Sequence, residues 1–390
     1  MGRLVTPRQR ASWGLDIGDY TLNLVKLLRK DGQPIIVEQD QYEYPLNLSR
    51  SDACPKQLVS DAMAIMLNRH VIDPKDEITL GMPSHLCLHR QFVLPPLAAS
   101  KASEVVKFEV RQQVPFPLDE VFYDTQLISG TDQEGFLMYG EYAVTAVKQD
   151  HVFDRLQWLN GLKITGLQST TTAIFNAACE DLQSDSNADQ VTVIVSVGGD
   201  TTEMIVVKLG NKPKLLWQRN IPLAGRHWTQ QIAKDCKLTF AKAEHLKRNL
   251  ADSNVEDKAA MTNAVTMDLL LEIQRSLGFY YKIDNLLPPS RLLFVGSPIT
   301  AEVFDVLQRN LKGEFTGGNE PKDQTVAQVD MWKPKSFQGE FITAYGLALR
   351  GLGAAVLNLN LIPPPKPLID WKKIIRRLRV MKFRSPITFE

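Results

Sequence analysis

The hydrophobic pattern of this chain contains the same short unit twice. Each unit is an apolar run, a glycine-centred turn rich in Asp and Thr, and a second apolar run, and the two units span residues 13–28 and 191–208. Two apolar runs joined by a tight polar turn are typical of a β-hairpin. Gly18 of the first unit aligns with Gly198 of the second. Because each unit opens a half of similar length, the repeat predicts an α/β fold of two duplicated lobes with a cleft between them.

The rest of the first half predicts further strands and helices. Apolar patterns predict strands over 33–44, 77–82, 87–94 and 140–147, and helices over 55–68, 100–114 and 150–160. Ser100 is a suitable N-cap for the second of these helices, and Pro115 ends it. We therefore expect a first lobe over 12–76 and 161–188, with an α+β subdomain inserted at 77–160.

The second half also shows apolar patterns that are typical of strands and of helices. Strands are expected over 214–221 and 291–295, and helices over 229–237, 240–249, 255–283 (one helix or two), 301–311 and 341–352. The polar stretch 313–337 is expected to be a loop. Apolar residues on one stripe of the long helix are interpreted as core: Met267, Leu270, Leu271, Leu277 and Tyr281. The second lobe then covers 189–352, and 353–390 is a Pro-rich linker with a basic tail.

The glycine turns are candidate phosphate sites. Glycine lets the backbone turn tightly and approach a ligand, and the amides and hydroxyls of such a turn can cradle phosphate oxygens. The candidates are Gly18, Asp19 and Thr21 in the first turn, Gly198, Gly199, Asp200, Thr201 and Thr202 in the second, and Gly296 after strand 291–295. One such turn is a weak signal, because most hairpin tips bind nothing. Two matched turns favour a site in the cleft.

Composition narrows the function classes. A formal net charge of +1 gives no argument for nucleic acid as a partner. The four cysteines are far apart, so we expect reduced, buried thiols rather than zinc ligands. The histidines do not pair at metal-ligand spacing and no catalytic triad or Walker motif occurs, so neither a metal site nor a catalytic residue is predicted. No apolar run reaches about 18 residues, which predicts a cytoplasmic protein.

The tail carries an amphipathic pattern. Between 370 and 384 there are seven Lys or Arg and one Asp. Apolar residues at helical spacing share one face: Trp371, Ile374, Ile375, Leu378 and Met381. Such a basic helix either lies on an anionic membrane surface or packs its apolar face on the second lobe or a partner helix. The sequence leaves both interpretations open.

The order of the turns resembles that of the actin-like ATPases. The three turns are Asp16-Ile17-Gly18, 198–202 and Val295-Gly296. Within that superfamily the chain resembles the PilM family of type IV pilus assembly, through FEVRQQVPFPLDEVFYD at 108–124 and FITAYGLALRGL at 341–352. The likeness extends over about residues 12–352. It implies an actin-like two-lobed fold with an inserted subdomain, and ATP or ADP with Mg²⁺ between the lobes.

The resemblance also implies a partner, the N-terminal cytoplasmic peptide of a PilN-like inner-membrane protein, docked beside the inserted subdomain. Pro115, Phe116 and Pro117 are candidates for its groove, since a ring between two prolines presents a preset aromatic edge. The alternative is a rigid loop that buries the ring in the core. The stretch Asn360-Leu361-Ile362-Pro363 is similar to the Asn-Leu-Leu-Pro of PilN-type peptides. It either mimics the partner, in its own groove or a neighbour's, or Ile362 to Pro367 is a polyproline spacer that holds the basic tail away from the body.

Several positions depart from the family pattern. Asp19, Tyr20 and Asn23 stand where the first turn has small hydroxyl residues and a Lys, and Ser196 replaces the Asp of the second turn. Pro298 follows the third turn. A carboxylate facing a phosphate is repulsive, and proline removes an amide. We therefore expect nucleotide binding to be weak or absent, with no hydrolysis.

The sequence leaves three functions open. We favour a non-enzymatic scaffold, peripheral at the inner membrane on its cytoplasmic side, in a type IV pilus or type II secretion-like machine. It would contact other assembly proteins and further copies of itself, in a head-to-tail chain or a ring. The second function is an actin-like ATPase or sugar kinase, against which the altered turns argue. The third is an FtsA-like filament former attached to the membrane by its basic tail.

Overall fold

The computed structural model describes residues 10–159, 161–183, 190–249, 258–283, 287–311, 313–314, 325–326 and 328–362. The strands are β1 (Ser12–Ile17), β2 (Thr21–Lys30), β3 (Gln33–Glu43), β4 (Glu77–Met82), β5 (Cys87–Val93), β6 (Leu97–Ala98), β7 (Val121–Gln133), β8 (Phe136–Lys148), β9 (Gly166–Ser169), β10 (Val191–Val197), β11 (Thr202–Lys208), β12 (Lys214–Ile221), β13 (Arg291–Val295), β14 (Gly313–Glu314), β15 (Thr325–Val326) and β16 (Gln328–Met331). The helices are α1 (Pro55–Arg69), α2 (Ala102–Gln113), α3 (Gln149–Trp158), α4 (Thr170–Asp181), α5 (Gly225–Asp235), α6 (Phe240–Arg248), α7 (Lys258–Tyr280), α8 (Ala301–Leu311) and α9 (Ile342–Leu352). The helices predicted between residues 55 and 352 are confirmed, and α4 is one that the sequence pattern missed.

Two five-stranded sheets share one topology. The strand order is β3-β2-β1-β4-β9 in the first and β12-β11-β10-β13-β16 in the second. In each sheet the repeated hairpin and the strand after it pair antiparallel, and the other two strands pair parallel. The hairpin turns also match: Gly18 N–H donates to Thr21 O at 2.9 Å, and Gly198 N–H donates to Thr201 O at 3.0 Å. The predicted duplication is confirmed.

A smaller sheet interrupts the first lobe. Strand β8 lies at its centre, with β7 along one edge and β5 and β6 along the other. Strand β4 is not part of it, because β4 lies between β1 and β9 in the first sheet. Helix α3 packs Val152 into the core of the first lobe. We therefore revise the insertion predicted at 77–160 and propose that it runs from β5 to β8, residues 87–148.

Helices α4 and α9 lie where the two lobes meet. Their side chains share one core cluster with residues of both large sheets. The approach of α9 to β1 requires Gly14, because a Cβ there would overlap the carbonyl oxygen of Ala344. Asn23, beside the first turn, donates to the carbonyl oxygen of Glu340 just before α9, at 3.4 Å. The residue before the short turn into α9 therefore lies close to the first glycine turn.

Several local predictions are wrong. Met267 and Leu271 are 36% and 44% exposed, because α7 is apolar on more than one side and its periodicity does not select the buried face. The stretch 313–337 contains β16, which completes the second sheet. Helix α2 follows a 3-10 turn and has Lys101, not Ser100, at its N-cap. All four cysteines are free, but Cys54 and Cys236 are exposed rather than buried.

Candidate functional site

The two glycine turns and the turn after β13 meet in the cleft between the lobes. They enclose a cavity of about 290 Å³. The predicted residues that line it are Gly18, Asp19, Thr21, Gly198, Gly199 and Gly296. Asp200, Thr201 and Thr202 lie in the second turn but not on the cavity wall. Thr202 Oγ1 donates to Leu223 O at 2.7 Å, and an oxygen of Asp200 lies 3.3 Å from Arg226 Nε.

Tyr20 closes the gap between the two turns. Its ring lies against Gly199, so that a Cβ on Gly199 would be 2.7 Å from Tyr20 Cδ2 and 3.2 Å from Asp19 Cβ. The distance of 2.7 Å is shorter than carbon atoms tolerate, so a side chain on Gly199 would have to displace the ring. Asn47 Nδ2 also donates to Asp200 Oδ1 across the lobes at 3.4 Å. A side chain of the first turn therefore lies directly against the backbone of the second turn.

The walls beside the turns are acidic. Burial raises the pKa of Asp16 to about 7, against the opposing charge of Arg155. Burial and the nearby Asp200 raise the pKa of Asp19 to about 6, again opposed by Arg155. Burial also raises the pKa of Glu203, although hydroxyls of Thr170 and Thr171 donate to it at 2.5 and 2.6 Å. An anion entering here would meet carboxyl groups.

Arg155 is the internal counter-ion of this acidic cluster. It comes from α3, and its Nη1 donates to the carbonyl oxygen of Ile17 at 3.1 Å, at the end of β1. Its guanidinium also lies 4.8 Å from the ring centroid of Trp158. Arg155 is therefore held by a carbonyl and a ring, and its charge acts electrostatically on Asp16 and Asp19. Arg155 was not predicted, because no local sequence pattern links α3 to the first turn.

Helix α6 forms another wall of the cavity. Glu244, Lys247 and Arg248 line it. The Nζ of buried Lys247 donates to Gly225 O at 3.1 Å, Thr229 Oγ1 at 2.8 Å and Glu244 Oε2 at 2.7 Å. The sequence analysis missed this group, although an acid followed by two bases one turn later on a predicted helix was a usable signal.

The first turn fits a phosphate chain and Mg²⁺ poorly, because the carboxyl groups of Asp16 and Asp19 line it and Asn23 stands where the family has a Lys. The α6 wall lies close to the second turn, since Lys247 donates to Gly225 O and the Gly225 N–H donates to Gly198 O. Among the described residues, no group of three or more His, Cys, Asp or Glu is placed to hold a metal ion.

The sequence model of one family matches this architecture from end to end. The model for type IV pilus assembly protein PilM matches residues 14–352, from β1 to the end of α9. The chain belongs to the PilM family. No curated protein sequence matches it.

Solved structures agree on the fold of this PilM family member. A chain of the PilM-PilN type IV pilus biogenesis complex matches with a TM-score of 0.67 and 22% identity, over 87% of this chain and 98% of that one. EutJ, an ethanolamine utilization protein from Carboxydothermus hydrogenoformans, matches with a TM-score of 0.46 and 15% identity, over 89% and 91%. A Bacteroides thetaiotaomicron protein with an actin-like ATPase fold and unknown function matches at 0.44 and 6%, over 89% and 99%. The first match is the one that supports the fold, because the other TM-scores are below 0.5. The predicted actin-like two-lobed fold and the family resemblance are confirmed.

The residues predicted to form one wall of the partner-peptide groove, 115–117, lie on the surface of the insertion. Phe116 is 38% exposed, so the interpretation that it plugs the core is wrong. The Nζ of Lys148 lies 4.5 Å from its ring centroid. Phe116 and Pro117 line a shallow groove with Arg111 and Tyr123. Pro115 ends the helix beside it, as predicted. The assignment of Pro115, Phe116 and Pro117 to a partner groove stays a prediction.

The segment after α9 is docked on the first lobe. Leu361 is 1% exposed, and its N–H donates to Leu167 O of β9 at 2.7 Å. Of the spacer predicted over 362–367 the structure describes Ile362 alone, so both interpretations of Asn360-Leu361-Ile362-Pro363 stay predictions. Pro363 and the predicted tail face of Trp371, Ile374, Ile375, Leu378 and Met381 lie outside the described residues. Within the described ranges, no helix is long and apolar enough to cross a membrane.

Proposed function

We propose that this PilM family member is a non-enzymatic scaffold of a type IV pilus assembly machine, and that it docks the N-terminal peptide of a PilN-like inner-membrane protein. Family membership over residues 14–352 supports a role in the type IV pilus assembly machine. The fold shared with a chain of a PilM-PilN complex supports a PilN-like protein as the partner. The observation that carries the non-enzymatic part is the contact of Tyr20 with Gly199, which closes the space between the two turns.

Electrostatics support the same conclusion. Phosphoryl transfer depends on positive charge that neutralises the transferring group, together with an oriented water. Around the turns of this protein, Asp16 and Asp19 are acidic, and the basic groups are already engaged: Arg155 donates to Ile17 O, Arg226 pairs with Asp200, and Lys247 pairs with Glu244. A phosphate here would gain little attraction and would lose its hydration. The cleft is then a rigid junction between lobes rather than a reaction site.

The remaining sequence assignments belong to this proposal. The scaffold sits at the cytoplasmic face of the inner membrane, where its tail face of Trp371, Ile374, Ile375, Leu378 and Met381 meets anionic lipid or another assembly protein. Pro115, Phe116 and Pro117 form one wall of the partner groove. The exposure of Phe116 supports this wall, since an exposed aromatic edge is a common anchor at protein interfaces.

Capture of the partner tests the proposal. The full chain is titrated with the N-terminal cytoplasmic peptide of a PilN-like protein, without nucleotide and then with Mg-ATP, and a scrambled peptide is the control. We expect the same affinity in both conditions and no phosphate release. A complex that forms only with ATP, or no complex at all, contradicts the proposal.

Two phenylalanines of the insertion locate the groove. Phe116→Ala removes the predicted wall, and Phe136→Ala removes a ring that is 53% exposed elsewhere on the insertion. Weaker binding with Phe116→Ala alone, by about tenfold or more, assigns the groove to Pro115, Phe116 and Pro117. Unchanged binding with both variants moves the groove to another face of the insertion.

Nucleotide binding without hydrolysis is the second candidate function. One observation favours it: Glu244, Lys247 and Arg248 of α6 line the same cavity as the glycine turns and Gly296. An adenosine held beside α6 would stiffen the interlobe junction without needing the phosphate turns. Calorimetry with adenosine alone tests it, since this candidate predicts adenosine and ATP to bind with the same affinity.

A further inference from the structure

A second cavity lies between the insertion and the second lobe. Its volume is about 360 Å³, and it shares no lining residue with the cleft cavity of the glycine turns or with the groove at Phe116. Residues of β5 and β8 in the insertion and of β12 in the second lobe line it. Small-molecule sites often lie at domain interfaces and have volumes of about 300–1,000 Å³. The cavity therefore has the size and the position of a ligand site.

The strands that face each other across this cavity are edge strands. Among the described strands, β5 pairs only with β8, and β12 pairs only with β11. Near the start of β12, Gln91 Nε2 donates to Leu215 O at 2.5 Å. Near its end, Ser84 Oγ donates to Asn220 Oδ1 at 2.7 Å. Strand β12 is thus held to the first lobe and its insertion at both ends, and the cavity lies along the residues between them.

Polar side chains on both sides of the cavity carry unpartnered atoms. His89 of β5 and Thr145 of β8 are directly opposite in the strand register, so their side chains share one face of the sheet. Both ring nitrogens of His89, Thr145 Oγ1 and, on β12, Gln218 Oε1 are buried, and none has a hydrogen-bond partner among the described residues. All three residues line the cavity. Because buried polar atoms are nearly always paired in folded proteins, this group is the complement of a hydrogen-bonding ligand.

The polar groups of the cavity suit an uncharged ligand. Burial lowers the pKa of His89 to about 3, with the charge of Arg90 acting in the same direction, so the ring is neutral at neutral pH. A neutral imidazole has one donor and one acceptor, a threonine hydroxyl can donate and accept, and Gln218 Oε1 accepts. Among the described lining residues, Arg90 alone is charged at neutral pH, and its side chain is engaged with His89 O at 2.9 Å. An ion would lose its hydration here without a counter-charge.

The remaining lining of the cavity is largely apolar. Leu215, Leu216 and Trp217 of β12 contribute to it. The ring of Trp217 is fixed from behind by Phe279 and Tyr280, with centroid distances of 6.2 and 6.0 Å. An apolar surface with a few placed polar groups is the usual composition of a small-molecule site. The ligand should therefore have an apolar body beside its polar edge.

We propose that this cavity binds a small uncharged molecule with an apolar body and an amide-type edge, in which an N–H donor adjoins a carbonyl acceptor. The N–H donates to Gln218 Oε1, and the carbonyl accepts from the Thr145 hydroxyl and the His89 ring. Since Gln218 belongs to the second lobe and the other two residues to the insertion, the bound molecule links these parts and favours the arrangement in which they are close. This site goes beyond the docking of a partner, because it uses neither the cleft nor the groove at Phe116.

Three probes of one shape test the chemistry of the site. Benzamide has the amide edge, acetophenone keeps the carbonyl but lacks the N–H, and benzoate replaces the amide with a charge. Each is titrated into the full chain, and binding is followed by saturation-transfer NMR. We expect saturable binding of benzamide in the millimolar range. Acetophenone should bind about fivefold more weakly, because it leaves Gln218 Oε1 unpaired, and benzoate should not bind measurably.

Two variants of the lining and one matched control locate the site. Thr145→Val removes the hydroxyl with little change of shape and should weaken benzamide binding by about fivefold. Gln218→Leu should make benzamide and acetophenone bind equally. Thr79→Val is the control, because Thr79 Oγ1 is also buried and unpartnered among the described residues but belongs to β4, outside this cavity. Neither threonine variant should be destabilised, since each loses an unpaired hydroxyl.

Three results would overturn the proposal. The first is wild-type protein that shows no saturable binding of benzamide. The second is equal binding of benzamide, acetophenone and benzoate, which would show that the polar edge is not recognised. The third is equal affinity of Thr145→Val and Thr79→Val for benzamide, whether both match the wild type or both are weaker, because the probe would then bind elsewhere.

Discussion

Gly346 of α9 lies against Ala173 of α4, so closely that a Cβ on Gly346 would overlap the carbonyl oxygen of Ala173. This contact joins the two helices at the interlobe core. It gives a physical reason for the glycine in the Ala-x-Gly-Leu-Ala-Leu-Arg pattern that carried part of the family resemblance.

Gly346→Ala should therefore destabilise the protein. The added methyl group must push two helix backbones apart, and overpacking of this kind costs about 1–3 kcal/mol or more. Gly278→Ala is the control, since Gly278 lies in α7 with open space where its Cβ would stand. There, the helix propensity of alanine should stabilise by about 0.5–1 kcal/mol. Chemical unfolding of both variants measures the difference. A neutral Gly346→Ala would show that α4 and α9 slide apart freely.

Features that are encoded in a few consecutive residues were predicted correctly from the sequence. The hairpin turns of Gly18 and Gly198 are each written in a few consecutive residues, so their geometry and their equivalence follow from the pattern alone. The end of α2 at Pro115 is equally local. The family match then placed these pieces in one known arrangement.

Features that depend on contacts between residues far apart in the chain could not be predicted from the sequence. Strand β4 has the same apolar pattern whether it lies in the insertion or in the first sheet, and only its parallel pairing with β1 decides. The ring of Tyr20 meets Gly199 across the cleft, and no local pattern encodes that contact. The docking of Leu361 beside Leu167 is hidden in the same way, because the Pro-rich stretch after it suggested a spacer.

Asp16→Asn should stabilise the protein at neutral and higher pH. The folded-state pKa of Asp16 is raised from 3.8 to about 7, chiefly by burial. A raised carboxyl pKa means that the contribution of Asp16 to stability is full below the unfolded pKa and is lost as pH rises through the folded pKa. An amide carries no charge, so the variant avoids that loss. We expect a gain on the order of 2 kcal/mol at pH 8, falling steadily towards pH 4.

Denaturant midpoints across that pH range measure the effect for Asp16→Asn. If the difference in denaturant midpoint between variant and wild type does not change with pH, then Asp16 ionises as readily in the folded chain as in the unfolded chain. A destabilised variant at pH 8 would show that the carboxylate is needed as a partner of Arg155.

Removal of residues 370–390 should abolish binding to anionic vesicles. The apolar face of Trp371, Ile374, Ile375, Leu378 and Met381 with its surrounding basic residues suits a lipid surface, where each nearby Lys or Arg contributes about 1 kcal/mol. Co-sedimentation with anionic and neutral vesicles measures it. Salt should weaken the binding. If the intact chain does not sediment with anionic vesicles at low salt, the face packs on protein instead.

The last prediction concerns Tyr20 and nucleotide. The wild type should release no phosphate from Mg-ATP above background and should show no low-micromolar dissociation constant by calorimetry, because Tyr20 fills the space between the turns. Tyr20→Ser removes the ring and leaves a small hydroxyl, so Mg-ADP affinity should rise by about tenfold, equivalent to about 1.4 kcal/mol. Hydrolysis should stay absent in the variant, since Asp16, Asp19 and the engaged Arg155 still supply no free positive charge.

Tyr139→Ser, at a tyrosine of the insertion that is 64% exposed, is the matched control and should bind as the wild type does. Tight binding or turnover by the wild type would show that the turns open in solution, and equal affinities of Tyr20→Ser and Tyr139→Ser would show that charge rather than the ring excludes the nucleotide.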